Sequence, residues 1–350
     1  MRFGHGAGKA LIEMTYPEVL ENAKRTISNC KVCPVCNGLA CGNSIPGPGS
    51  KAPGNGAHDN WRAWQEMRIN MDVFCEDAPV DTARKLFGTV LNLPLLTGPI
   101  GALTQYSPAD VTVAFNDGVM QASAIFGVIG TFGDGVVPET FSGGLESITK
   151  HCAHAIPIIN PKSMDTVLEK IRRVNDSDAL ACGVVFDSAG LTHWKNSEDR
   201  FSTKTVKQLK MLRDASEKPF VAKGILSAKN AEQAVEAGVD AIIVSNHGGR
   251  VLPFAPATAE VLPEIVSAVQ GQAKIIVDGG IRTGADIFKA LALGADAVMI
   301  CRPIAVSWFG GGAEGVQLYF EKLRAELRDV MYMAGARTLS EIRPDMIRRP

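Results

Sequence analysis

The stretch Asp240-Ala241-Ile242-Ile243-Val244-Ser245-Asn246-His247-Gly248-Gly249-Arg250 decides how this chain is read. It opens on an unbroken apolar run, the pattern of a strand buried on both faces, and closes on a histidine, two glycines and an arginine. The glycines let backbone come close to a ligand, and histidine titrates near neutrality. One end of this strand therefore carries a base beside a permanent cation, the equipment for taking a proton from a small anionic substrate.

The same rhythm of short apolar run, polar turn and amphipathic segment recurs from Leu93 onward. The runs are Leu93–Ile100, Ala122–Gly130, Ala155–Ile159, Cys182–Asp187, Pro219–Ile225, Ala241–His247, Lys274–Gly280 and Ala297–Arg302. Helical spacing fills the gaps at Met164–Val174, Thr203–Ala215, Ala228–Ala237, Thr258–Val269 and Thr283–Leu293. Apolar strands alternating with helices predict a parallel sheet covered on its outer side. Eight near-even units favour a closed (β/α)8 TIM barrel, an α/β fold, over an open doubly wound sheet. Polar residues gather where the runs end, at Thr97, Asp187, Lys223, Ser245, His247, Asp278 and Arg302, the end at which barrels of this kind build their sites.

Two parts are expected: an extension over residues 1–92 packed on the barrel, and the barrel over 93–350. In the extension, Thr15-Tyr16-Pro17-Glu18 has a capping-box pattern that opens a helix to about Ser28. A cysteine-rich segment (residues 30–41) and a Gly/Pro loop (42–56) follow. At the other end a helix over about Glu314–Met333 places Val316, Phe320, Leu323, Leu327, Val330 and Met331 on one face, with Gly335 as its stop.

Composition narrows the function. With 46% hydrophobic and 21% charged residues the 350-residue chain buries a large core, and its net charge of -1 carries no nucleic-acid or membrane footprint. No apolar run approaches the ~18–20 residues of a membrane span, and the first twenty residues lack a signal-peptide core. A cytoplasmic setting is expected, with the eight cysteines as thiols or ligands rather than disulfides.

Asp278-Gly279-Gly280-Ile281-Arg282 ends the seventh run and opens a helix at Thr283, and the eighth run ends at Cys301-Arg302-Pro303. Backbone amides at a Gly-Gly turn, a helix N-terminus and two arginines suit a phosphate; a tight turn with surface arginines is the plainer alternative. Lys223, inside an apolar strand, is costly to bury unless it meets an anion or an electron-rich ring. Asp187 is either a helix cap or the partner that fixes one tautomer of His247.

Taken together, Lys223-Gly224-Ile225, Ser245–Arg250, Pro256-Ala257-Thr258, Leu262–Ile265, Asp278–Arg282, Lys289–Ala295 and Arg302-Pro303 resemble the FMN-dependent α-hydroxy acid dehydrogenases and oxidases, which include glycolate oxidase and lactate oxidase. The likeness is dense from Pro219 to about Ile342 and looser from Leu93 to Asp187. It implies a barrel with FMN across its mouth and oxidation of a 2-hydroxy acid. It casts His247 as base, with Asp187 as its partner, Arg250 as the carboxylate clamp and Lys223 at the flavin. It implies cofactor contacts at Thr97, Gly98, Pro99, Gly130, Ser245, Asp278, Gly279, Gly280, Arg282, Cys301 and Arg302. Homo-oligomers, often tetramers, are also implied, while the electron acceptor stays open.

The chain departs from that family in places. A Gln-x-Tyr expected at the end of the third strand is Ile158-Ile159-Asn160, and an arginine expected after Asp187 is missing, with His193 and Lys195 nearby. No N-terminal substrate tyrosine has a clear counterpart, and Val251-Leu252-Pro253 follows Arg250. Cys30, Cys33, Cys36 and Cys41 have ligand-like spacing, open to an iron–sulfur cluster, to structural zinc, or to unliganded thiols. An FMN-dependent isopentenyl diphosphate isomerase is the rival enzyme, although the chain has no obvious diphosphate-binding cluster. An IMP-dehydrogenase-like enzyme needs a cysteine between Ser245 and Leu262, and none is there. A non-catalytic flavin- or metal-binding protein is the third reading.

Overall fold

A computed structural model of the chain describes residues 14–45, 48–104, 106–135, 137–191 and 200–349. Helix α1 (Tyr16–Thr26) begins as the capping box predicts, with Thr15 N donating to the Glu18 carboxylate at 2.7 Å. Helix α2 (Gly56–Glu66) follows, capped by Asn55, whose Oδ1 accepts from His58 N. Strand β1 (Arg68–Ile69) precedes a hairpin of β2 (Arg84–Leu86) and β3 (Thr89–Leu91).

The barrel strands are β4 (Leu95–Thr97), β5 (Gly130–Gly133), β6 (Ala155–Ile159), β7 (Cys182–Val185), β8 (Phe220–Ile225), β9 (Ala241–Val244), β10 (Lys274–Val277) and β11 (Ala297–Ile300). They form one parallel eight-stranded sheet in which β11 returns to β4. The lead-in to β5 closes the remaining gap: Thr97 N donates to Ile129 O at 3.0 Å and Ile129 N to Leu95 O at 3.3 Å. The expected TIM barrel is therefore formed.

Helices α3 (Thr112–Phe126), α4 (Pro138–His151), α5 (Met164–Asn175), α6 (Val206–Asp214), α7 (Ala228–Glu236), α8 (Thr258–Val269), α9 (Gly284–Ala292) and α10 (Arg302–Met333) run between and after the strands. Helix α10 departs from helical dihedrals at Gly311 and Gly312, so the expected Glu314–Met333 segment is its second half. Gly335, at φ 79°, follows it as the predicted stop. Strand β12 (Ile347–Arg348) pairs antiparallel with β1. Among the described residues no helix is long and apolar enough to cross a membrane.

One strand assignment needs correction. Ala122–Gly130 is the end of α3, a left-handed turn at Gly127 (φ 84°), and only then the start of β5. A short apolar run fits a buried helix as well as a buried strand. Here Gly127 ends the helix, and the strand lies beyond the run.

The core has two layers. Inside the barrel, Leu96, Ile129, Ile156, Ile158, Val185, Val221, Ile243, Ile276 and Met299 pack with Leu86 and Leu91 of the hairpin, which floors the end where the strands begin. Between strands and helices lies the larger layer, including Phe115, Phe132, Phe220, Phe288 and Phe320. Each fully buried aliphatic or aromatic side chain contributes roughly 1.5–3 kcal/mol of transfer free energy. The floor is thus apolar and sealed, and the polar strand ends all face the opposite mouth.

Candidate active site

Strand β9 ends at Val244, and the chain then turns through three residues with left-handed backbone: His247 (φ 56°), Gly248 (φ 64°) and Gly249 (φ 79°). Such backbone is costly for histidine and is retained where the surroundings impose it. Here α2 imposes it. A Cβ on Gly249 would lie 2.6 Å from the Ala57 nitrogen, and Lys51 N donates to Gly249 O at 2.8 Å. Buried Asn60 and Asn246 exchange two amide hydrogen bonds of 2.7 and 2.8 Å, and Asn60 Oδ1 also takes Thr258 N. Trp64 Nε1, one turn further along the same face of α2, donates to Gly279 O at 2.8 Å. The extension therefore shapes both glycine turns of the mouth. Asn60 and Trp64, spaced four residues apart, are functional residues that the sequence reading passed over.

Nδ1 of His247 lies 2.9 Å from Asp187 Oδ1. Burial pushes the Asp187 carboxyl up, but facing His247 and Lys223 outweigh burial and hold it below the usual carboxylate range. An ionised carboxylate only accepts, so Nδ1 carries the hydrogen and Nε2 is left as the basic nitrogen. Lys223 Nζ donates to Ser245 Oγ (2.7 Å) and Asp278 Oδ2 (2.8 Å), and Ser245 Oγ donates to that same oxygen at 2.8 Å. Burial lowers the lysine, but Asp278 and Asp187 outweigh it, so it stays cationic.

Lys223, His247 and Asp278 face a cavity of about 400 Å³, and Asp187, bonded to His247, is not in its lining. Gly98, Pro99, Lys223, His247, Arg250, Asp278, Gly279, Gly280, Arg282, Cys301 and Arg302 line it, so most of the expected site residues meet in one place. Thr97 and Ser245 stand just behind the wall; Thr97 Oγ1 accepts Thr131 N at 2.8 Å. Gly130 is not at the mouth. It begins β5, where a Cβ would meet the Met120 and Ser123 side chains of α3, and Gly133 and Gly135 line the cavity instead. The misplaced strand carried Gly130 with it. Asn160 lines the cavity at the end of β6, and His193 and Lys195 lie outside the described residues.

One pole of the cavity is cationic. Gly279 (φ 89°) and Gly280 (φ 81°) turn below Arg282, whose Nε donates to Cys36 O at 2.8 Å. Arg302 has a buried Nη1 with no partner among the described residues. A Cβ on Gly248 would sit 2.9 Å from Arg302 Nη2, and one on Gly98 would sit 2.5 Å from the Cys301 Cβ. Bare backbone is what gives this cleft its width. Arg250 is half-buried, with Nη1 donating to Gly49 O at 3.0 Å. Tyr106, also missed, lines the cavity from the loop after β4 and stacks on Phe309 at 6.1 Å between ring centroids.

The cysteine quartet is not assembled. Among the described residues the four thiols form no group that could hold a metal. Cys30 Sγ accepts Val32 N, and the Cys41 thiol is aimed at Gly38 O. Cys36 is set against the arginines; burial raises its thiol, but Arg282 and Arg302 outweigh burial and lower it.

A profile of the family described as FMN-dependent dehydrogenase matches residues 49–203 and 195–349. A peroxisomal (S)-2-hydroxyacid oxidase from Arabidopsis thaliana is 30% identical over 327 residues, 83% of this chain and 87% of its own length. Human 2-hydroxyacid oxidase 1 is 45% identical over a shorter stretch of 141 residues, 40% of this chain and 38% of that protein. A solved mandelate oxidase superposes with a TM-score of 0.77 at 26% identity, covering 94% of this chain and 97% of the other. A variant of mandelate oxidase solved as an FMN adduct gives 0.73 at 28% identity, covering 87% and 97%.

Proposed function

Because the chain belongs to the FMN-dependent dehydrogenase family, we propose that it oxidises a small 2-hydroxy acid to the 2-oxo acid, with His247 as the base. One observation carries this reading: a carboxylate-oriented histidine and the half-buried Arg250 share one cavity with a two-arginine pole.

The cavity fits FMN. Its volume is within the roughly 300–1,000 Å³ of ordinary cofactor sites. Arg302 Nη1, unpartnered among the described residues, Arg282 and the Gly279-Gly280 turn suit a phosphate dianion. Lys223, cationic and buried, suits the polar edge of the flavin ring, and Gly98 and Pro99 leave room for its face. When bound, FMN supplies the two-electron acceptor for the Cα–H bond.

The protein's own groups do the rest. Arg250 holds the substrate carboxylate by paired hydrogen bonds and so orients the carbinol. His247 Nε2 takes the hydroxyl proton, and the imidazolium that results is stabilised by Asp187 at 2.9 Å. Lys223, fixed by Asp278 and Ser245, offers positive charge where negative charge gathers on oxidation.

Anaerobic mixing with L-lactate, glycolate and L-mandelate should bleach the flavin absorbance, and His247→Ala should abolish the bleaching while retaining FMN. If no 2-hydroxy acid bleaches the flavin, the reading is lost.

A further inference from the structure

Beyond the site already described, a line of buried polar groups runs from the outer helix ring to the cavity wall. Lys170, on α5, places Nζ 2.6 Å from Asp134 Oδ2, and the two side chains are 12% and 0% exposed. Lys170 also lies over the ring of Phe141, 5.1 Å from its centroid. Asp134 accepts a hydrogen bond from Asn160 Nδ2. Ser188 Oγ stands 3.1 Å from Asn160 Oδ1, and Ser188 is fully buried beside Asp187.

An ion pair buried this deeply is a poor source of stability, because desolvating both charges cancels most of their attraction. Its effect here is on geometry. Asp134, paired with a lysine, only accepts, so Asn160 must turn its NH2 toward Asp134 and its carbonyl oxygen toward Ser188. The amide is locked against flipping. Asn160 keeps one N–H and one oxygen lone pair unused among the described residues, at a residue that lines the cavity. Among the described residues Ile158, Leu191 and Phe201 are apolar members of the same lining.

We propose that Asn160, locked by the Lys170–Asp134 pair, is the specificity-determining residue of this cavity. It selects 2-hydroxy acids whose side chain carries a hydroxyl or carbonyl over those with a plain hydrocarbon chain. The proposal rests on the 2-hydroxy acid reading above and adds the substrate class. A single oriented amide loses its remaining hydrogen bonds to a hydrocarbon and keeps them with a polar side chain.

L-2,4-dihydroxybutyrate and L-2-hydroxyvalerate have the same number of heavy atoms and differ by one terminal hydroxyl. The FMN-loaded enzyme should show kcat/KM at least ~10-fold higher for the dihydroxy acid, a modest value for one oriented hydrogen-bonding group. Asn160→Leu should bring the ratio to one or below, mostly through KM, and Lys170→Met should move it part of the way. FMN affinity, followed by fluorescence quenching, should be unchanged in both. The dissociation constants of the two corresponding 2-oxo acids, read from shifts in flavin absorbance without turnover, should change in parallel. A merely structural role would slow both substrates equally. Turnover of both acids with a ratio that Asn160→Leu leaves alone overturns this inference and spares the functional reading. A flavin that no 2-hydroxy acid reduces overturns both.

Discussion

Asn60 of α2 and Asn246, one residue before the histidine, face each other across the mouth and exchange two amide hydrogen bonds at 2.7 and 2.8 Å. Neither amide is exposed, and Asn60 Oδ1 also accepts Thr258 N. The left-handed turn that presents His247 is thus held by a residue almost two hundred positions earlier in the chain.

Asn60→Ala should therefore loosen the turn rather than empty the site. Thr258 N loses its partner and Asn246 keeps, among the described residues, only Pro256 O and Gly249 N, which costs about 1–3 kcal/mol and would register in a urea titration. FMN should still bind, and kcat should fall more than KM rises. An unchanged kcat would show that the turn is held by other contacts.

The pairing of Asp187 with His247 makes a stronger demand. Asp187→Asn keeps the shape but puts an amide opposite Nδ1, so the favoured tautomer inverts and Nε2 carries the proton. By analogy with a serine protease triad, the rate should fall on the order of 10⁴-fold, measured as the anaerobic rate of flavin reduction at saturating substrate.

Acid sensitivity follows with a definite sign. The folded pKa of Asp187 lies below its unfolded value of about 3.9. The stabilisation it contributes is complete above that unfolded value and disappears as pH falls through the folded one. The midpoint of urea unfolding should decline on the acid side in the wild type, and more gently in Asp187→Asn.

Lys223→Met should be among the most damaging changes to stability. It strands Asp278 beside Ser245 in the interior, and breaking a buried pair by removing one partner costs roughly 3–5 kcal/mol. Chemical denaturation of the apoprotein isolates this from any loss of cofactor. A double change that also replaces Asp278 with an apolar residue should recover part of the deficit.

At the cationic pole, Arg302→Ala should weaken FMN binding by about 1.5–3 kcal/mol, the range for a hydrogen bond to a charged group. That is about one to two decades in Kd, read by quenching of flavin fluorescence as FMN is titrated into apoprotein. Riboflavin, lacking the phosphate, should bind the wild type and the variant nearly alike.

Much of this molecule was legible before any contact was known. Strands end in His247, Lys223, Asp278 and Arg302 because a parallel barrel buries both faces of each strand and leaves only its carboxyl end to carry chemistry. The error at Ala122–Gly130 is equally physical. Alanine, isoleucine and phenylalanine in one run satisfy a buried helix and a buried strand alike, so the second strand and its glycine were placed too early. The cysteine spacing had no such periodicity behind it: Cys30 Sγ accepts Val32 N, the Cys41 thiol is aimed at Gly38 O, and the Cys36 thiol is set against Arg282.

The amino-acid order by itself determined the eightfold alternation, the helix caps and the residues at each strand end, because these depend on periods of two and 3.6 residues and on neighbours a few positions away. Only the closed barrel decided that Asn60 would brace the His247 turn, that Arg282 would bond the Cys36 backbone, and that Lys170 would orient Asn160 through Asp134. Those pairings join segments with no periodic relation to one another, and they exist because sheet closure and helix packing bring distant polar groups within hydrogen-bonding range where water cannot satisfy them.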